Sequence, residues 1–203
     1  MVSRKSRGFT LIEMMIALSI FLIMSAIFLM NIQPALKQSR VSSAYNTTLG
    51  AMRQARDLSV AQRQIYFVTF NTAASPHNVT ITQGSTGTVV ATYPMPSDVG
   101  FNVVSGVPTS PTTPPTTPDG FGTASRSVDF DQGVAGGARN VVYFYPDGSA
   151  ADAVGNVNNG VLYIARPADL NSSRAITLWG ATGRLRGWRL YQNGGTTYYW
   201  RQQ

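Results

Sequence analysis

The stretch GFTLIE, residues 8–13, stands between a short basic leader and an apolar run from Met14 to Met30. Only Ser19 and Ser25 interrupt that run with polar side chains. At about 1.5 Å per residue in an α-helix, the run is roughly 26 Å long, close to the hydrocarbon thickness of a bilayer. The sequence therefore predicts a membrane-spanning helix near the N-terminus.

The leader, residues 1–8, carries Arg4, Lys5 and Arg7, three positive charges of a chain whose net charge is +7. Positive residues beside a membrane span stay in the cytoplasm, so we expect a single pass with the N-terminus in the cytoplasm and the rest of the chain facing outward. An ordinary secretory signal is cut at small residues behind its apolar region, and no such site follows Met30. We therefore expect the span to be retained; a simple signal anchor is the alternative.

The leader and GFTLIE together resemble the cleavage and methylation motif of type IV pilins and type II secretion pseudopilins. The resemblance implies that a prepilin peptidase cuts after Gly8, that Phe9 becomes N-methylated, and that the mature chain assembles with other pilin subunits into a filament. It divides the chain into a leader (1–8), a transmembrane and assembly half-helix (9–34) and a periplasmic head (35–203).

Glu13 is an acidic residue at the start of an apolar helix. A carboxylate embedded in a membrane is costly unless it is paired. The resemblance implies that Glu13 pairs with the N-terminal amine of Phe9 in a neighbouring subunit. The alternative is an interfacial glutamate that points to lipid headgroups.

The region after the span predicts an α+β fold in which one long helix, Phe9 to Arg63, packs on an antiparallel sheet, the ladle shape of pilins. Pro34 predicts a local kink. Beyond it, apolar residues recur at helical spacing on one face: Val41, Tyr45, Leu49, Met52 and Ala55. Strand patterns follow at 65–70, 79–83, 88–93, 101–104, 127–130, 141–145, 161–166, 175–179, 185–191 and 197–201.

Residues 106–118, GVPTSPTTPPTTP, form a low-complexity, proline-rich loop. Proline has no N–H to donate to a sheet, so we expect this loop to be extended and exposed. It is either an inert insertion or a glycosylated or partner-binding loop.

Several further segments resemble the GspH/FimT family of minor pilins and pseudopilins. They are the helix segment 51–56, the strand 65–70, VVYFYPDG at 141–148, RAITL at 174–178 and GRLR at 183–186. The proline-rich loop and the hairpin after Arg189 depart from the family pattern. The resemblance implies a structural, assembly role.

Residues for catalysis or metal binding are scarce. The chain has no cysteine and a single histidine, His77, so metal sites built on Cys and His and a catalytic triad lack support. Asp129, Asp131 and Gly133 match only part of a calcium loop. We expect no cofactor, no metal and no enzymatic activity.

The C-terminal end combines arginines with aromatic residues and has no acid beyond Asp169. Such a combination can contact phosphates and unpaired bases. GRLR resembles the Gly-Arg-x-Arg motif of minor pilins that bind DNA during natural transformation. We expect a bulge at Gly187 to turn Arg184, Arg186 and Arg189 outward together, as a DNA-binding patch without a nearby acid. The alternative is a glycine turn leading into an edge strand with exposed arginines.

Overall fold

The computed structural model describes residues 8–132, 139–195 and 197–203. It separates into two compact units, Met1–Ser39 and Arg40–Gln203. One α-helix, α1 (Leu11–Gln62), begins in the first unit and ends in the second. The long helix expected from the sequence is confirmed, and it continues through Pro34. The leader, residues 1–7, lies outside the described residues.

The first unit contains the apolar part of α1. Its large apolar side chains from Leu11 to Met30 are all more than half exposed, whereas a globular core would bury them. The segment is long and apolar enough to cross a membrane, with a mean hydropathy of 2.4 over its most apolar window. Apolar surface of this extent requires a lipid or protein cover.

The second unit contains the strands, and each predicted strand has a counterpart in it. They are β1 (Tyr66–Asn71), β2 (Asn78–Gln83), β3 (Val89–Pro94), β4 (Gly100–Phe101), β5 (Val128–Gln132), β6 (Val141–Phe144), β7 (Ala150–Ala151), β8 (Asn159–Arg166), β9 (Asp169–Trp179), β10 (Arg184–Asn193) and β11 (Thr197–Gln202). The short β7 has no counterpart in the sequence prediction, because two alanines show no alternating pattern.

The strands form two antiparallel sheets. Sheet I has the order β3-β2-β1-β6-β7, and sheet II has the order β11-β10-β9-β8-β4, with β5 also paired to β8. The order follows the chain closely, since β8, β9, β10 and β11 pair in sequence as successive hairpins. With α1 packed against the sheets, the α+β arrangement is confirmed.

The main core lies between the second half of α1 and both sheets. The predicted helix stripe is buried as expected: Val41, Tyr45, Leu49, Met52 and Ala55 are all at most 9% exposed. Alternate strand residues such as Val68, Phe70, Ile176 and Leu178 cover this stripe from the sheets.

A second, smaller apolar cluster lies on the other face of sheet II. It consists of Val161, Tyr163, Ala175, Leu190 and Trp200 together with Val107 and Ala124. The last two belong to residues 106–124, here called the covering loop, which includes the proline-rich stretch. Sheet II therefore buries parts of both faces, which sequence alternation alone does not reveal.

Candidate processing, assembly and nucleic-acid sites

The predicted cleavage site lies outside the helix. Gly8, Phe9 and Thr10 precede α1, and all three are exposed. A Cβ added at Gly8 would meet no atom within 4 Å. The fold of the described chain therefore imposes no steric need for glycine at this position, and any such need would come from the peptidase that reads it.

Thr10 and Glu13 cap the first turn of α1 together. The Glu13 backbone N–H donates to Thr10 Oγ1 at 3.3 Å, and the Thr10 N–H donates to Glu13 Oε2 at 3.5 Å. This reciprocal pair is a capping box, which satisfies two otherwise free N–H groups at a helix start. Glu13 thus has a local partner within one chain, while its pairing with Phe9 of a neighbour stays a prediction.

The predicted bulge at Gly187 is wrong. β10 pairs with β9 in continuous register, with Arg186 opposite Thr177, Gly187 opposite Ile176 and Trp188 opposite Ala175. Uninterrupted alternation places Arg186 and Trp188 on one face and Arg189 on the other. The three predicted arginines therefore do not share a face.

Gly187 has a different structural role. A Cβ at this position would lie 1.5 Å from the Tyr45 hydroxyl oxygen, so the glycine makes room for a helix side chain. Burial raises the pKa of Tyr45, and nearby Arg53 and Arg174 partly oppose this effect. Trp188 faces the covering loop and is half-buried there, which explains how a tryptophan can share a face with Arg186.

The expectation of no acid near the predicted patch is also wrong. Arg186 Nη1 lies 2.7 Å from Asp119 Oδ1, and the Asp119 side chain is only 6% exposed. The second carboxylate oxygen, Oδ2, accepts hydrogen bonds from Thr177 Oγ1 at 2.6 Å and from Trp179 Nε1 at 3.1 Å. The acid comes from the covering loop, 67 residues away in the chain. Arg186 therefore ties that loop to sheet II.

Arg184 instead lies beside two arginines of α1. Arg53, Arg56 and Arg184 line a cleft of about 370 Å³, together with Asp57 and the turn at Thr182–Leu185. Arg53 and Arg184 are exposed, whereas Arg56 donates to the carbonyl oxygens of Gly148 at 3.0 Å and Thr182 at 3.2 Å. The cleft carries three positive side chains and one negative one.

Gly183, the first residue of GRLR, is required by the fold. Its φ is 59°, in the left-handed region, and a Cβ would lie 2.0 Å from the Gly148 oxygen and 2.7 Å from Arg56 Nε. The glycine turn of the alternative is therefore present, but the expected edge strand is wrong, because β10 pairs with both β9 and β11. Arg53 and Arg56 were missing from the predicted patch because their proximity to Arg184 depends on tertiary packing.

His77 and Asp129 each contact other residues of the fold. His77 Nδ1 accepts a hydrogen bond from the Phe101 N–H at 2.9 Å, and the two rings stack. Asp129 lies 3.9 Å from Arg139 Nε, while the rest of the partial calcium pattern falls on residues whose side chains lie outside the description. Among the described residues no cluster of three His, Cys, Asp or Glu could hold a metal ion.

Comparison with known families matches the prokaryotic N-terminal methylation motif to residues 3–29. No curated protein and no solved structure matches the chain. The motif implies processing by a prepilin peptidase and assembly with other pilins, and the apolar helix is consistent with membrane anchoring. Motif, long helix and antiparallel head together fit a type IV pilin-like protein.

Proposed function

We propose that the chain is a minor pilin or pseudopilin of the GspH/FimT type, with a structural role in a type IV pilus or type II secretion filament. The observation that carries this proposal is the apolar half of α1, whose side chains are exposed throughout in the single chain. In the inner membrane, lipid covers this surface; in a filament, the same helices of neighbouring subunits cover it. The head then lies in the periplasm.

The assembly role depends on processing. Cleavage between Gly8 and Phe9 removes the basic leader and creates an amine next to the capped helix start. That amine is the partner we propose for Glu13 of the adjacent subunit, since a charged pair lowers the cost of a carboxylate in an apolar surrounding. No catalytic step is assigned to the head.

Cross-linking in intact cells tests the proposal directly. The chain has no cysteine, so a single Leu18→Cys substitution on the exposed helix reports only its own contacts. We expect cross-links to other pilin subunits in cells that express the filament machinery, and none from the cysteine-free parent. A substituted chain that stays monomeric in such cells overturns the assembly role.

We propose DNA binding, for uptake during natural transformation, as a second candidate function. It is supported by the cleft of Arg53, Arg56 and Arg184, where Asp57 is the one acidic lining residue. Exposed guanidinium groups contact phosphates without reading sequence. Retention of the detergent-solubilised chain on DNA, with weaker retention of Arg53→Gln and Arg184→Gln, tests this function; no retention at low salt refutes it.

A further inference from the structure

Three arginines lie in one row across the C-terminal half of sheet II. The register pairs Arg174 of β9 with Arg189 of β10, and Arg189 with Arg201 of β11. Directly paired residues of antiparallel strands have side chains on the same face, and like charges in that position destabilise the sheet. Burial, assisted by the neighbouring Arg189, lowers the pKa of Arg174 to about 10. The row thus places three positive side chains side by side on one face of sheet II.

Aromatic rings lie beside Arg189 and Arg201, the two arginines of the row that belong to the terminal hairpin. Tyr191 pairs with Tyr199 across the hairpin, and their rings stack at 6.2 Å between centroids. The guanidinium carbons of Arg189 and Arg201 lie 5.3 and 6.0 Å from the centre of the Tyr191 ring. Arg189, Tyr191, Tyr199 and Arg201 therefore form one continuous surface, here called the hairpin face.

The hairpin face is accessible at its outer edge. Tyr199 is 38% exposed and Arg201 is also exposed, whereas Tyr191 and Arg189 are half-buried. The strand that bears Tyr199 and Arg201 is the edge of sheet II. No aspartate or glutamate follows Asp169 in the sequence, so the side chains of the hairpin itself are basic, aromatic, apolar or neutral polar.

We propose that the hairpin face binds single-stranded nucleic acid, with phosphates against Arg189 and Arg201 and an unpaired base stacked on Tyr199. This rests on the DNA-binding function proposed above and assigns it a second surface and a strand preference. Bases stack on aromatic side chains only when they are unpaired. Arginines without such rings would contact the phosphates of a duplex and of a single strand equally well. The rings thus favour single-stranded nucleic acid over a duplex.

The experiment measures binding of full-length chain in detergent to a fluorescent single-stranded oligonucleotide and to the matching duplex, over a range of salt. Tyr199→Ala should weaken single-strand binding roughly 5- to 150-fold, the range for loss of one base stack, and leave its salt slope unchanged. Tyr199→Phe keeps the ring and should restore affinity. Arg201→Gln should lower the single-strand slope by about 0.7, the value for one phosphate contact.

Arg126→Gln is the matched charge control, since it removes an exposed arginine just before β5, on the side of sheet II away from β11. It should leave the single-strand affinity close to that of the parent. Thermal midpoints of all variants establish that the fold is retained.

Three results overturn the hairpin assignment. Duplex binding that depends on Arg53 and Arg184, without a single-strand preference, leaves the DNA function standing and removes the hairpin face from it. Single-strand binding that Tyr199→Ala does not weaken also leaves the DNA function standing and removes the hairpin face from it. Binding of neither form at low salt refutes both proposals.

Discussion

Replacing Asp119 by asparagine isolates the contact that ties the covering loop to sheet II. The change keeps the size of the side chain and one acceptor oxygen but removes the charge. Arg186, only 25% exposed, then loses its charged partner at 2.7 Å. Thr177 and Trp179 lose a charged acceptor and retain at most a neutral one.

The expected loss follows from burial. Removing one partner of a buried ion pair typically destabilises a protein by about 3–5 kcal/mol, because the remaining charge stays uncompensated. Arg186 keeps a quarter of its surface in water, so we expect about 3 kcal/mol. For a domain of this size, about 1 kcal/mol moves the thermal midpoint by roughly 2–4 °C, which predicts a decrease of about 6–12 °C.

Thermal unfolding of Asp119→Asn, Arg186→Gln and the double variant measures the coupling of the pair. The double variant should lose less stability than the sum of the two single changes, by about 1–3 kcal/mol, because it leaves no unpaired charge. A midpoint of Asp119→Asn within 2 °C or so of the parent, or strict additivity, would refute the reasoning.

The remaining predictions concern processing, capping, the head and its packing. Membrane-extracted chain should have the intact mass expected after loss of residues 1–8 and gain of one methyl group; a mature start beyond Met30 contradicts the pilin assignment. The Glu13→Ala variant should insert into the membrane normally but cross-link poorly to other pilins. The Glu13→Gln variant keeps the helix cap but loses the charge. It should assemble equally poorly if charge pairing matters, and normally if only the cap matters. A fragment 35–203 should unfold cooperatively, since the buried helix stripe remains; persistent aggregation argues against helix-on-sheet packing. Gly187→Ala should destabilise that fragment by about 1–3 kcal/mol, because the added methyl group collides with Tyr45. The same substitution in a Tyr45→Phe variant should cost less stability. An equal loss of stability in both backgrounds excludes that collision.

The parts of the fold that follow from local pattern were predictable. The apolar run, the helix stripe from Val41 to Ala55 and the strand alternation each depend on side chains a few residues apart, and these periodicities are visible in the chain. Turn residues such as the Pro-Asp-Gly sequence at 146–148 mark where strands end. The division into two sheets was not predictable, because it depends on which strands pair.

The prediction of the candidate site failed where it depends on contacts between residues distant in sequence. The bulge at Gly187 was inferred from the assumption that one face of β10 is solvated, yet the covering loop buries part of the face that carries Trp188. Asp119 is distant in sequence from Arg186, and no local pattern indicates that a loop acid will reach a strand arginine. The row of Arg174, Arg189 and Arg201 depends on strand register, which the sequence does not specify residue by residue.

The second apolar cluster makes the covering loop and the terminal hairpin depend on each other. Val107 comes from the covering loop, while Leu190 and Trp200 come from the terminal hairpin, and these residues bury one another. Deleting the loop would expose a tryptophan and a leucine to water, and deleting the hairpin would leave the loop without its apolar support. The covering loop and the terminal hairpin therefore form one packing unit. A variant that keeps only one of them should be less soluble than the parent.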